Sequence, residues 1–150
     1  MFKKLSIILC LSLSLVAGMK EIPKISPDSA LKNLSGKTIA KIMADLIAKN
    51  LPMKLDEITT VTRVFSVDNT IYIDKVIDTE SESLNGKNIY DILPTLRKIM
   101  FHQDRDIACN NVHSKFTITE KGVIYSQSYS DKKYKLLFRH TIEKEDCSTY

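Results

Sequence analysis

"NIYDILPTLRKIMFHQDRDIAC", residues 88–109, is the stretch that decides the fold. Leu93, Leu96, Ile99, Met100 and Ile107 recur at helical spacing along roughly one side, which predicts an amphipathic helix. Pro94 fixes where that helix begins. A start at Asn88 would bury the proline in the helix interior, where it removes a hydrogen bond, whereas a start near Asp91 places it in the first turn. The later start leaves Ile89 and Tyr90 in a lead-in turn, and Cys109 falls near the far end.

On both sides of this helix the period changes. Upstream, "EITTVTRVFSVDNTIYIDKVIDT" (57–79) is rich in β-branched and aromatic residues. Val61, Phe65 and Val67 alternate with polar positions, Asp68 and Asn69 suit a tight turn, and Ile71, Ile73 and Ile77 follow, so the run predicts an antiparallel hairpin with one wet face. A polar loop, "TESESLNGKN" (79–88), follows it, with Gly86 as its turn residue. Downstream, "GVIYSQSYS" and "YKLLFRHTIEK" are strand-like runs joined by "DKK", a second hairpin. "KFTIT" (115–119) is too short for periodicity to separate strand from helical turn.

Toward the N-terminus, "KTIAKIMADLIAKN" (37–50) sets Ile39, Ile42, Met43, Leu46 and Ile47 on one helical face, most simply a core face, and Asn50 with the Leu51–Pro52 step ends it. "SPDSALKNL" (26–34) offers a short helix capped by Ser26 with Pro27 at its first position, weakened by Gly36. The expected class is α+β, with helices packed on one antiparallel sheet of four or five strands in the order α-β-β-α-β-β and a further strand left open. The expected domain organisation is a signal peptide over 1–18, an exposed lead-in and short helix over 19–38, and a single domain over 39–150.

The compartment follows from the first residues. "MFKK" is cationic, "LSIILCLSLSLVA" is apolar, and Val16, Ala17 and Gly18 are small, the pattern of a cleavable export signal. The apolar run of about thirteen residues is short of the roughly 20 that a membrane-spanning helix needs. Leu9 before Cys10 is too large for a lipidation site, so Cys10 is expected to leave with the signal. Cys109 and Cys147 then remain in an exported chain, a periplasmic or secreted setting in which thiols oxidise, and only one intramolecular pairing exists. Neither lies in a CxxC motif. A structural disulfide between Cys109 and Cys147 is therefore expected.

The full sequence is 43% hydrophobic and 27% charged with four glycines and four prolines, which excludes disordered and collagenous classes. Its formal charge of +4 falls to +2 once Lys3 and Lys4 are removed, so nothing points to nucleic acid. Catalytic signatures are missing as well. The sequence has no GxSxG, phosphate-binding glycine loop or dinucleotide fingerprint, and His102, His113 and His140 lack paired metal-ligand spacing. Neither catalytic residues, a metal nor a cofactor is expected. The basic run "DKKYKLLFRH" (131–140), with the tyrosines of the same region, gives candidate partner-binding residues, Lys132, Lys133, Tyr129 and Tyr134, for an acidic partner or a lipid headgroup. The plainer reading is a hairpin turn kept soluble by lysines, with Tyr125, Tyr129 and Tyr134 packing into a core.

A helix leading to "NLPM", a strand hairpin, a helix delivering Cys109, a Gly-led "GVIYSQSYS" strand and a last strand ending at Cys147 together resemble the small periplasmic pilotins of the beta class, which serve type II secretion pores. The resemblance spans about residues 39–147 and lies in layout and in those two cysteines. It implies a non-catalytic assembly factor that binds a short segment of a protein partner, a secretin, in the cell envelope, with no stable membrane span after signal cleavage. Many pilotins are lipoproteins, and the lack of a lipidation site is a departure from that pattern. A secreted enzyme inhibitor acting through the 79–88 loop, and a small-ligand carrier with a pocket between helix and sheet, are the alternatives.

Overall fold

The structure is a computed structural model that describes residues 31–84 and 86–150. The expected export signal, the lead-in over 19–30 and the Ser26 cap lie outside the described residues. Helix α1 (Gly36–Ala48) starts where Ser35 accepts a hydrogen bond from the Thr38 amide. Gly36 is therefore the first residue of a helix and does not interrupt one. A Cβ there would collide with the Lys121 carbonyl, so glycine lets the start of α1 approach that backbone. After the cis Leu51–Pro52 bond come β1 (Met53–Lys54), β2 (Thr59–Val67) and β3 (Thr70–Ile77). Asp68, at φ 51°, turns β2 into β3, with Val67 opposite Thr70.

Pro94 acts as its position predicts. A 3-10 turn at Ile89–Ile92 leads into α2 (Leu93–Asn110), and the proline lies in the first helical turn. Residues 115–119 are helical, inside α3 (Val112–Lys121). Asn111 accepts hydrogen bonds from the His113 and Ser114 amides at its start, and Gly122, at φ 64°, ends it in the left-handed region. Strands β4 (Ile124–Asp131) and β5 (Leu136–Ile142) complete the sheet, and a 3-10 turn at Lys144–Cys147 carries the second cysteine.

The sheet order is β1-β2-β3-β4-β5. The class is α+β as expected, and the sheet is mixed: both hairpins are antiparallel, but β3 and β4 run parallel, with Ile71 opposite Tyr125 and Ile77 opposite Asp131. The reason is the connection. Two helices lie between Ile77 and Ile124, long enough to carry the chain back to the start of the sheet, as parallel pairing requires.

One apolar cluster joins Ile39, Ala40 and Ala44 of α1 to Val61, Val64, Ile71, Ile118, Tyr125 and Ile142, so the helices share one face of the sheet. The expected stripe of α1 is divided. Ile39 is buried and Met43 and Ile47 are partly buried against this cluster, while Ile42 and Leu46 are 43% and 42% exposed because alanines occupy the closest approach. A second cluster comprises Ile77, Ile89, Leu96, Met100, Tyr129 and Phe138. The Cys109–Cys147 disulfide is present and buried, joining the end of α2 to the C-terminal turn.

Candidate functional site

Between the two apolar clusters lies a layer of charge. Lys75 (β3), Asp104 (α2), Tyr129 (β4) and His140 (β5) occupy the positions where each element's inward phase passes from one cluster to the other. The Lys75 ammonium donates to Asp104 Oδ1 at 2.6 Å and to the Tyr129 hydroxyl at 2.8 Å. The same hydroxyl donates to Asp104 Oδ2 at 2.7 Å, and His140 Nε2 lies 2.9 Å from that oxygen. The side chains of Lys75, Asp104 and His140 are each about 95% buried. Burial pushes the Asp104 carboxyl up, but the Lys75 charge and the hydrogen bonds from His140, Lys75 and Tyr129 outweigh it and hold the group below its ordinary value. Burial and the Asp104 charge push the Tyr129 hydroxyl up, so it stays a neutral donor. His140 Nδ1 is buried without a partner.

This arrangement binds itself. Each oxygen of Asp104 is taken by groups inside the layer, which suits a fixed strut between sheet and helix better than a nucleophile or base facing substrate. Among the described residues, no three His, Cys, Asp or Glu side chains are grouped to hold a metal ion.

One member of the layer reaches an open surface. His140 and Thr141 on β5 face Pro94, Arg97, Lys98 and Phe101 on α2 across a groove of about 450 Å3. Among the described strands β5 is bonded to β4 alone, and its other edge flanks this groove. Among the described residues neither Arg97 nor Lys98 forms an ion pair. Ile99, on the same helix, is 46% exposed.

The four candidate partner-binding residues in and beside the basic run do not form one surface. Tyr129 is 1% exposed and belongs to the charged layer, because it shares the inward phase of β4 with Tyr125; it cannot meet a partner. Tyr134 is 77% exposed, so the expectation that all three tyrosines pack inside holds for Tyr125 and Tyr129 only. Lys132 and Lys133 are exposed at the β4–β5 turn, with Lys132 2.7 Å from Asp78. The groove residues Arg97, Lys98 and Phe101 were not singled out from the sequence, nor was the buried charged layer.

No family model and no curated protein matches this chain. Solved structures do. The pilotin EpsS of the Vibrio vulnificus type 2 secretion system superposes with a TM-score of 0.62 at 16% identity, covering 75% of this chain and 92% of that one. The type II secretion pilotin AspS of Vibrio cholerae gives 0.58 at 19% identity, with the same coverage. A Pseudomonas aeruginosa protein described as secreted gives 0.54 at 13% identity, covering 75% of this chain and 96% of that one. A buried charged layer under an open groove is thus carried on a pilotin-like fold.

Proposed function

We propose that this protein is a non-catalytic assembly factor of the cell envelope that works as a pilotin, holding a segment of a secretion-pore subunit in the groove between α2 and β5. The observation that carries the reading is that groove. It joins the Phe101 ring to Arg97 and Lys98, which form no ion pair among the described residues, and to the β5 edge, the ingredients of peptide docking in a groove or by strand addition. Its openness suits a polypeptide better than a small molecule, which needs most of its surface enclosed. The pilotin-like fold supports the same reading, as does an export signal in the sequence. Among the described residues no helix is long and apolar enough to cross a membrane.

The test is titration of purified protein with labelled peptides tiling a secretin, read by fluorescence polarisation. One peptide is expected to bind, and Arg97→Glu with Lys98→Glu is expected to weaken it at least about tenfold without lowering Tm, since both side chains are exposed. Failure of every peptide, with normal pore assembly in a deletion strain, would overturn the assignment.

A further inference from the structure

The β4–β5 turn presents a side chain in a way the fold does not require. Asp131 Oδ1 accepts the Lys133 amide at 2.8 Å and the Lys135 amide at 2.9 Å, and its Oδ2 accepts the Tyr90 hydroxyl at 3.0 Å. The Tyr134 amide bonds the Asp131 carbonyl, and the Asp131 amide bonds the Lys135 carbonyl, which makes a closed, rigid tip. Within it Tyr134 stands at φ 61°. That left-handed position in a hairpin turn favours glycine and is costly for a bulky side chain. Packing does not explain the choice, because the ring is 77% exposed.

Its surroundings are cationic and apolar. Lys132, Lys133 and Lys135 are all exposed, Leu136 is 52% exposed, and Tyr90, 43% exposed, lies 5.1 Å beneath the Lys135 ammonium. Asp131 is engaged by the turn itself and Asp78 by Lys132, which also lies 3.9 Å from the exposed Glu80, so the free cations of the tip are Lys133 and Lys135. Among the described residues Lys133 and Lys135 form no ion pair. All five residues of the tip, 132–136, are exposed. An amphipathic phenol ringed by ammonium groups matches the headgroup layer of an anionic membrane, where tyrosine rings settle and each lysine adds attraction.

We propose that the Lys132–Leu136 tip is a peripheral membrane-contact site, with Tyr134 entering the headgroup layer of an anionic bilayer and Lys133 and Lys135 meeting lipid phosphates. The proposal is separate from the groove and stands whether or not the groove holds a peptide.

The test uses purified protein and vesicles of phosphatidylcholine with or without phosphatidylglycerol. Co-sedimentation is expected with the anionic vesicles at low salt, and is expected to be lost at high salt and with phosphatidylcholine alone. The Lys133→Ala, Lys135→Ala double variant is expected to bind about thirtyfold more weakly. Tyr134→Gly is the sharper variant, since relief of the backbone should leave Tm unchanged or raised while binding falls. The chain contains no tryptophan, so Tyr134→Trp gives a single reporter whose emission should shift to the blue on anionic vesicles. Absence of wild-type binding, or binding untouched by Tyr134→Gly and the lysine changes, would overturn the proposal. A blue shift with envelope proteins and none with vesicles would assign the tip to a protein contact and overturn it equally.

Discussion

Lys75, Asp104 and His140 each interrupt an apolar pattern in phase. Lys75 sits where Ile71, Ile73 and Ile77 call for another inward side chain, Asp104 follows Leu96 and Met100 at helical spacing, and His140 lies between Phe138 and Ile142. Such in-phase charges were the legible sign of a buried network, but reading β3 as simply wet on one face passed over Lys75. What the sequence could not supply was that the interruptions on three elements meet, with Tyr129 of β4, in one layer. Removing Asp104 strands the Lys75 ammonium in the interior, so Asp104→Ala is expected to cost about 3–5 kcal/mol, measured by urea unfolding. The sign of the pH effect follows from the lowered Asp104 carboxyl. Its unfolded value is the ordinary one near ~3.9, so the folded chain binds fewer protons and gains stability above that pH, which is lost as pH falls through the folded value. Tm is therefore expected to drop steeply below about pH 4, and less steeply in Asp104→Ala.

At the level of elements, the proline rule placed the start of α2 correctly, and the Asp68–Asn69 turn placed the first hairpin. α3 contains the 115–119 run, which is too short for periodicity to separate strand from helical turn. Its ends carried the information: Asn111 as cap and Gly122 as stop bracket a helix whose central residues, Phe116 to Thr119, have weak helical preference. α1 shows the opposite failure. Its apolar face was legible, but the alanines that set its closest approach were not, so Ile42 and Leu46 were assigned to a core they only border. Gly36 gives the test at this scale. Propensity alone favours alanine in a helix, yet the added Cβ would meet the Lys121 carbonyl, so Gly36→Ala is expected to lower stability by roughly 1–3 kcal/mol in thermal melts.

Across the whole molecule, the class, the order of elements and the disulfide were readable, whereas the parallel β3–β4 pairing was not, because strand direction depends on where the crossover returns the chain. The clasp spans a sequence separation of 38 and ties α2 to the turn beyond β5. The chain-entropy argument gives about 3–4 kcal/mol for a loop of that length, so Cys109→Ala with Cys147→Ala, or reduction, is expected to lower the unfolding free energy from urea titration by that amount. The parallel pairing has a different consequence. Each hairpin closes through neighbours in sequence, but Ile71 must find Tyr125 across the intervening helices, and β3 and β4 both lie inside the sheet. Assembly then resembles the docking of two prefabricated halves, and the pace of folding is expected to follow how long those halves search for one another.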